Sequence, residues 1–273
     1  MEEILFIGGD KRIICAAETL SQNFGVHSLG LEGSFPQPEG KYPAVVLPLP
    51  YSRNGTTINA PLSDTPIPLD IIAEYAQPGG MVLSGGTSDR LREICEANRL
   101  RLVDYYSGEI LTLKNALLTA EGAVSLLISG SECALCDSSA VITGYGRIAW
   151  YLARLLKGFN CRVTITARDP IQRHKALLEG FCALPCELTG LAASSADLVI
   201  NTVPAQLLTM EEFLKLRQGT VFLELATRAE APEREWAQAA GVHYINGAGL
   251  PGRFSPRTAG EAIAGALTTA LRK

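Results

Sequence analysis

AVITGYGRIA, residues 140–149, is the stretch that decides the expected fold. It has the pattern Gly-x-Gly-x-x-Ala, placed between a short apolar run that predicts a strand and residues 147–156, which predict a helix. Gly144 permits the tight turn, Gly146 lets the backbone approach a pyrophosphate, and Ala149 lets the helix pack closely on the strand. The stretch therefore predicts the phosphate-binding turn of a Rossmann domain. A glycine turn without a nucleotide is the alternative.

Short apolar runs alternate with amphipathic stretches on both sides of this turn. This alternation predicts parallel sheets with helical crossovers. The predicted strands are residues 4–7, 44–47, 81–84, 140–143, 162–166, 198–202, 221–225 and 242–245. The predicted fold is α/β, with two doubly wound parallel-sheet domains joined by an interdomain helix. The second is the Rossmann dinucleotide-binding domain.

The domain boundary is expected at residues 114–128, KNALLTAEGAVSLLI, the longest helical pattern in the middle of the chain. We expect a flavodoxin-like or Rossmann-like substrate-side domain over residues 1–113. The dinucleotide-binding domain is expected over residues 114–273, including the linker helix 114–128 and a C-terminal helix over 258–271. Residues 35–68 carry most of the prolines and predict a loop around one short strand.

The strand after the glycine turn ends in Ala167 and Arg168, where NAD enzymes typically place an acidic residue on the ribose hydroxyls. Arg168 favours NADP because a guanidinium binds the 2′-phosphate that a carboxylate would repel. Asp169 keeps NAD as the less favoured alternative. The loop at residues 201–204 is expected along the nicotinamide ribose, although turn capping also explains Asn201 and Thr202. The predicted cofactor-binding residues are Gly144, Tyr145, Gly146, Arg147, Ile148, Ala167, Arg168, Asn201, Thr202, Val203 and Pro204.

Arginines follow two predicted strands of the second domain. Arg228 comes after strand 221–225, and Arg253 and Arg257 lie in GAGLPGRFSPRTAG, residues 247–260, before Thr258. Because a guanidinium can bind a carboxylate through two parallel hydrogen bonds, these residues predict a cradle for an acidic substrate. Thr258 and Glu261 have the spacing of a capping box that would begin the terminal helix. Solvated surface arginines are the alternative.

The first domain and the linker helix add polar candidates, which are expected to face one interdomain cleft. Asp10 can instead be only the N-cap of a helix over residues 11–24. Capping and solvation are also alternatives for the polar residues of the linker helix. The substrate-binding candidates are Arg253, Arg257, Thr258, Ser84, Gly85 and Arg12. The catalytic candidates are Arg228, Asn115 and Glu121.

No histidine stands where a 2-hydroxy-acid dehydrogenase would need its acid–base catalyst. The chain contains His27, His174 and His243, and none lies in residues 247–256. Hydride transfer here is therefore expected to need no strong base at an alcohol. Cys133 and Cys136 have metal or redox spacing, but the chain offers no complete ligand set with them, so no metal is expected.

Composition excludes several other classes of function. A net charge of -4 and a sequence pI near 5.5 give no basic field, so nucleic acid is not an expected partner. We expect no membrane span, because no apolar run approaches the roughly 18 residues required. Seven cysteines and an N-terminus unlike a signal peptide predict reduced thiols in the cytoplasm. The sequence leaves the oligomeric state open, a homo-oligomer included.

The motifs occur in an order that is more specific than any of them alone. They are FIGGD at 6–10, Leu47-Pro48, Ser84-Gly85, KNALLTAEG at 114–122, GYGRIA at 144–149, ITAR at 165–168, VINTVP at 199–204 and GAGLPGRFSPRTAG. Over nearly its whole length the chain thereby resembles the family of the dipicolinate synthase A-subunit. The family has aspartate where this chain has Glu224, and Ser-Arg-Pro-Gly-Gly where this chain has residues 227–231.

The resemblance implies an enzyme of sporulation that oxidises a dihydrodipicolinate-type cyclic diacid, formed from a lysine-pathway intermediate, to pyridine-2,6-dicarboxylate. It implies NADP as hydride acceptor and, as partner, a flavoprotein-like B-subunit. Two alternatives remain at this point. One is another NAD(P)-dependent dehydrogenase or reductase of a small carboxylic acid, and the other is a non-catalytic NADP-binding regulatory subunit.

Overall fold

The computed structural model describes residues 2–33, 35–227 and 232–272, which divide into two compact units. The first unit contains residues 2–115 with 254–272, and the second contains residues 116–253. The strands are β1 (Glu3–Ile7), β2 (Gly25–Leu29), β3 (Tyr42–Val46), β4 (Ala76–Ser84), β5 (Arg101–Asp104), β6 (Ser139–Thr143), β7 (Arg162–Ala167), β8 (Cys182–Pro185), β9 (Leu198–Asn201), β10 (Val221–Glu224) and β11 (His243–Asn246). The α-helices are α1 (Lys11–Leu20), α2 (Ile71–Tyr75), α3 (Asp89–Ala97), α4 (Glu109–Gly130), α5 (Arg147–Gly158), α6 (Pro170–Leu178), α7 (Thr189–Ala193), α8 (Met210–Phe213), α9 (Glu233–Ala240), α10 (Leu250–Phe254) and α11 (Pro256–Leu271). Short 3-10 helices cover Tyr105–Ser107, Leu135–Asp137 and Cys186–Leu188.

The first unit is built on a parallel sheet in the order β2-β1-β3-β4-β5, which is the flavodoxin-type order. The central strand β1 reads EILFI and has four consecutive buried residues, as expected for a strand with both faces covered. Helix α1 begins where the Asp10 carboxylate accepts the Arg12 N–H at 3.0 Å. Asp10 is therefore the N-cap, and the helix ends at Leu20, before the predicted residue 24.

The second unit is built on a parallel sheet in the order β11-β10-β9-β6-β7-β8. Counted from β6, this is the dinucleotide-binding order 3-2-1-4-5-6. The predicted fold class is thus confirmed: two doubly wound parallel sheets, the second of the Rossmann type. The strand order reverses between β6 and β9, and sheets of this kind bind ligands at the carboxyl ends of the strands at such a point.

The terminal helix α11 belongs to the first unit. The sequence counts residues 258–271 with the second domain but leaves open on which domain this helix packs. Its apolar face, Ile263, Ala264 and Leu267, shares one buried cluster with residues of α1 and β1. Gly260 permits the close approach, because a Cβ there would lie 2.5 Å from Cys15 Cβ. Sequence periodicity revealed the apolar face of this helix but not the sheet that it covers.

The start of α11 also differs from the predicted capping box. The helix begins at Pro256 after Ser255, so Thr258 lies inside the first turn instead of at the N-cap. The Glu261 carboxylate accepts a hydrogen bond from Arg257 Nε at 3.1 Å, an i,i+4 ion pair. Proline is favoured at the first helical position because its missing N–H has no partner to lose there.

Helix α4 is longer than the predicted linker helix over residues 114–128 and runs from the first unit into the second after Asn115. Within the described residues it is the one helix long and apolar enough to cross a membrane by length and composition, contrary to the expectation of none. Half of its apolar window is buried inside the structure. Ala120, Ala123 and Leu127 contribute to the core of the second unit, and core helices pass the same test.

Asp197, just before β9, ties the amino ends of two strands together. Its carboxylate accepts the Ser139 N–H and hydroxyl, both at 2.8 Å, and Arg217 Nη1 at 2.7 Å. Burial opposes the charged form, but the Ser139 hydrogen bonds and the Arg217 charge outweigh it and lower the pKa of Asp197. A carboxyl with a lowered pKa contributes stability above its ordinary pKa, and this contribution is lost as the pH falls through the lowered value.

We therefore expect Asp197→Asn to reduce the melting temperature at pH 7 by about 2–6 °C. As the pH falls through the lowered pKa of Asp197, the difference from the parent should shrink, because the parent carboxyl is then protonated as well. Thermal unfolding followed by circular dichroism over a series of pH values from neutral into the acid range measures this. Asp64→Asn, in an exposed loop, is the control and should change the melting temperature little at any of these pH values. A deficit of Asp197→Asn that stays equally large down to the lowest pH at which the parent chain is folded would contradict the assignment to charge.

Candidate dinucleotide site

The glycine turn after β6 is fixed against the loop after β9. Gly144 has a φ of +75°, and a Cβ there would lie 2.8 Å from Val203 Cγ2, so both the backbone angle and the close approach require glycine. The Gly144 N–H donates to the Thr166 carbonyl at 2.7 Å. The Thr202 hydroxyl donates to the Thr143 carbonyl at 2.6 Å. Two stretches that are far apart in sequence thus meet at the carboxyl edge of the sheet.

Among the described residues, no contact requires glycine at position 146. Gly146 is the N-cap residue of α5 and has a φ of -80°, which suits any residue. No side chain forms a capping hydrogen bond at this position. A Cβ on Gly146 would meet nothing within 4 Å, and the residue is exposed. A pyrophosphate placed there would meet the N–H groups of the first helical turn, with Arg147 and Ile148 following at once. The residues present therefore fit a dinucleotide.

The end of β7 presents an exposed arginine on a fixed backbone. Arg168 follows Ala167 directly and is exposed. Arg173 Nη1 donates to the carbonyls of Ala167 at 2.8 Å and Arg168 at 2.7 Å, so it holds this strand end in place. The Asp169 carboxylate accepts the Ile171 N–H at 2.9 Å and caps α6. Helix capping thus accounts for Asp169 without a ribose.

Tyr145 lies with its ring in the core instead of in the turn. The ring packs edge-to-face on Phe181 at 6.1 Å between centroids, and its N–H donates to Gln172 Oε1 at 3.0 Å. The buried hydroxyl has no hydrogen-bond partner among the described residues. Burial, with the nearby Glu179 charge, raises the pKa of Tyr145 to about 12. The structure therefore gives this predicted cofactor residue a packing role.

Four polar residues at the carboxyl ends of neighbouring strands form a buried line across the sheet. We call Thr166, Thr143, Asn201 and Glu224 the carboxyl-edge row. Consecutive members of the row are register partners on adjacent strands, and all four are buried. The Thr143 hydroxyl donates to Asn201 Oδ1 at 2.7 Å, and Asn201 Nδ2 donates to both Glu224 oxygens at 3.1 Å. The row underlies the loops that begin at residues 144, 202 and 225.

The structure thus brings the predicted cofactor residues together at the carboxyl ends of β6, β7 and β9. Sequence reasoning missed Thr143, Gln172, Arg173 and Glu224, which hold the turn, the strand end and the loops in place. Only Glu224 carried a visible signal, since it is a charged residue at the end of an apolar strand. The roles of all these residues in binding stay predictions.

The substrate candidates of the first unit have internal partners. The buried Arg12 guanidinium donates three hydrogen bonds to the Asp10 carboxylate, at 3.0, 3.1 and 2.8 Å, and a fourth to the Leu49 carbonyl. The Ser84 hydroxyl donates to the Gly86 carbonyl at 2.6 Å. Gly85 is packed so closely that a Cβ would lie 2.5 Å from the Pro48 carbonyl oxygen. These contacts explain the residues structurally, and their substrate role stays a prediction.

The remaining candidates are distributed over both units. Asn115 Nδ2 donates to the Tyr106 hydroxyl at 3.3 Å, and Glu121 is exposed on α4. Arg253 Nη1 donates to the Asn246 carbonyl at 3.3 Å. Arg257 and Thr258 occupy the first turn of α11. Arg228 lies outside the described residues, and the expectation of one shared cleft stays a prediction.

The cysteines suggest no metal centre in the described ranges. All seven are free thiols, and no group of three or more His, Cys, Asp or Glu in residues 2–33, 35–227 and 232–272 could hold a metal ion. Burial raises the pKa of Cys95 and of Cys161 to about 11. Both thiols are therefore protonated at neutral pH and serve as small apolar side chains.

Two family models match successive parts of the chain. Residues 3–106 match the N-terminal domain of the dipicolinate synthase A-subunit. Residues 117–245 match the NAD binding domain of S-adenosyl-L-homocysteine hydrolase. The second unit is thus a domain of the kind that binds a nicotinamide dinucleotide, which agrees with the strand order and the geometry of the glycine turn.

Comparison with individual proteins covers both units. The dipicolinate synthase A-subunit of Bacillus subtilis (strain 168) is 24% identical over 231 residues, which are 84% of this chain and 77% of that protein. The crystal structure of the dipicolinate synthase A-subunit from Bacillus halodurans has a TM-score of 0.87 at 21% identity, covering 100% of this chain and 98% of that one. Phosphoglycerate oxidoreductase from Vibrio cholerae o395 shares the fold, with a TM-score of 0.66 at 14% identity over 100% of this chain and 98% of that one. The chain is thus similar to the dipicolinate synthase A-subunit, in sequence over 84% of its length and in fold over the whole of it.

Proposed function

We propose that this chain oxidises a dihydrodipicolinate-type cyclic diacid to pyridine-2,6-dicarboxylate, with NADP as acceptor. The observation that carries the proposal is the similarity to the dipicolinate synthase A-subunit over 84% of the chain. The fit of Gly144, Gly146 and the start of helix α5 to a dinucleotide supports it. By the same similarity we propose a role in sporulation, in the cytoplasm, together with a flavoprotein-like B-subunit.

The proposed oxidation does not depend on the histidine acid–base catalyst that the chain lacks. The substrate loses two hydrogens: one leaves with its electron pair to the nicotinamide ring, and the other leaves as a proton to solvent. Formation of the aromatic pyridine ring supplies driving force, so the reaction does not require the histidine–carboxylate pair of hydroxy-acid dehydrogenases. The residues Gly144, Gly146, Arg147 and Ile148 would hold the pyrophosphate, Arg168 the 2′-phosphate, and the loop 201–204 the nicotinamide ribose.

The two carboxylates of the substrate call for cationic or N–H donors. Arg253 and Arg257 are the guanidinium groups proposed for this task, with Thr258 beside them and Arg228 as the catalytic candidate. Ser84, Gly85, Arg12, Asn115 and Glu121 remain candidates from the rest of the chain. Because Arg12 is already bonded to Asp10, its proposed contribution is to hold the start of α1 in place.

The decisive experiment supplies dihydrodipicolinate and NADP to the purified chain, alone and with the B-subunit. NADPH formation and dipicolinate absorbance are followed together, and both should rise with equal molar yield. Product formed by the chain alone would exclude a purely regulatory NADP-binding role. If neither mixture forms dipicolinate, the proposed reaction is wrong, and a set of small carboxylic acids then tests the broader dehydrogenase function.

The choice between NADP and NAD is tested at Arg168. We expect Arg168→Glu to weaken NADP binding by about 30- to 100-fold, because charge-assisted hydrogen bonds to the 2′-phosphate are lost and repulsion replaces them. NAD binding should change by less than about threefold, since NAD has no such phosphate. Isothermal titration calorimetry with both dinucleotides measures the ratio.

Arg162→Glu is the matched control for this ratio. It reverses the same charge at the amino end of the same strand, on an exposed residue. Its NADP-to-NAD ratio should equal that of the parent chain. Equal losses of both dinucleotides in Arg168→Glu would show that Arg168 does not distinguish between them.

A further inference from the structure

Glu224 is a carboxylate in a place where charge is costly. It is the last residue of β10 and is 5% exposed, and its row neighbours Asn201 and Thr143 are also buried. Removing a carboxylate from water is unfavourable by several kcal/mol unless hydrogen bonds replace the water. Here the replacements include Asn201 Nδ2, at 3.1 Å from both oxygens, and the Ala226 N–H at 3.0 Å.

The carboxylate determines which way the Asn201 amide faces. A carboxylate only accepts hydrogen bonds, so the NH₂ group of Asn201 must face Glu224. The amide oxygen then faces the opposite side, where it accepts the Thr143 hydroxyl at 2.7 Å and the Val203 N–H at 3.0 Å. Reversing the amide would place two donors against each other at Val203. Glu224 thereby fixes the start of the loop after β9 as well as that of its own loop.

These two loops follow the strands on the far side of the reversal point from Arg168. In dinucleotide-binding sheets the adenosine half lies over the strands corresponding to β6 and β7, and the nicotinamide half lies toward β9 and β10. Thr166, at the β7 end of the row, is instead paired with the Thr189 hydroxyl at 3.0 Å. The two ends of the row therefore lie on opposite sides of the reversal point.

We propose that Glu224 is a positioning residue for the nicotinamide half of the bound dinucleotide, acting through Asn201 and the Ala226 N–H. The inference rests on the proposed use of a nicotinamide dinucleotide and is independent of the substrate. Glu224 need not touch the cofactor: its contribution is the orientation of one buried amide and of the two loops attached to it.

The test compares ligands that contain and lack the nicotinamide half. Glu224→Gln keeps the size of the side chain but replaces one acceptor oxygen by a donor facing Asn201. It should weaken NADPH by at least about tenfold and leave 2′,5′-ADP within about twofold, because only the first ligand reaches the nicotinamide side. The same comparison is made with NADH and ADP, so that the result does not depend on which cofactor is preferred. The affinities are measured by calorimetry on the full chain.

Two further variants complete the test. Thr189→Val removes a buried hydroxyl that contacts the row's other end and should leave the ratio of the two affinities unchanged. Thr143→Val removes the donor on the other side of Asn201 and should repeat the selective loss of about threefold or more, which also covers a Glu224→Gln chain that fails to fold. Equal weakening of both ligands, or an unchanged ratio in Glu224→Gln and Thr143→Val, would overturn the proposal. A parent chain that binds these ligands but forms no dipicolinate, either alone or with the B-subunit, would refute the proposed reaction and leave this inference standing.

Discussion

Gly146→Val is expected to abolish detectable dinucleotide binding, a loss of at least about 100-fold, while the chain stays folded. The side chain would enter the space that a Cβ on Gly146 finds free of any atom within 4 Å. That space is where a pyrophosphate must approach the first turn of α5. Stability should fall by no more than about 1 kcal/mol, the usual effect of a poor residue at an N-cap.

Gly158→Val is the control for this experiment. Gly158 ends the same helix, and a Cβ there also meets nothing within 4 Å. The control should bind NADPH like the parent chain and have a comparable loss of stability. Titration of NADPH fluorescence and thermal unfolding are measured on all three proteins. Binding by Gly146→Val within about threefold of the parent would show that the pyrophosphate lies elsewhere.

Gly260→Ala is expected to destabilise the first unit by about 1–3 kcal/mol, the usual range of overpacking in a well-packed core. The added methyl group would lie 2.5 Å from Cys15 Cβ and 2.6 Å from the Arg12 carbonyl oxygen. Neither is the end of a flexible side chain, so α1 and α11 would have to separate. The separation would open the apolar contact of Ile263 and Leu267 with the sheet.

Gly265→Ala, in the same helix, is expected to have the opposite effect on stability. A Cβ at Gly265 meets nothing within 4 Å, so alanine should stabilise the chain by about 0.5–1 kcal/mol through its helix propensity. Urea unfolding of both variants gives the two free energies. If the two substitutions change stability by the same amount, the close contact at Gly260 is not maintained in solution.

Seven of the eight predicted strands are interior strands of their sheets, and only β11 is an edge strand. The eight predicted runs coincide with β1, β3, β4, β6, β7, β9, β10 and β11. The three that escaped prediction, β2, β5 and β8, are all edge strands. An edge strand pairs on one side only and carries more polar residues, as in GVHSL and RLVD, so its apolar signal is weak.

The residues of the candidate site also divide into those that the sequence predicts and those that only the structure shows. The glycine turn, Arg168 and the loop 201–204 follow from sequence because each sits next to a strand or helix in the order that a dinucleotide requires. Glu224 and Thr143 could not be placed with Asn201, because register partners on neighbouring strands are separated by many residues in the chain. Arg12 and Tyr145 fit the sequence pattern of ligand contacts, but the structure gives them Asp10 and Phe181 as partners.

By itself the sequence determined the two parallel-sheet domains, the dinucleotide turn and the resemblance to the dipicolinate synthase A-subunit. These depend on local patterns: periodicity, glycine positions and the order of short motifs. Only the tertiary structure decided which sheet α11 covers, how the amide of Asn201 faces and why Gly146 has free space above it where Gly144 has none. Such features depend on contacts between residues that are distant in sequence. The sequence of a helix or strand shows which of its faces is apolar but not which surface that face packs against.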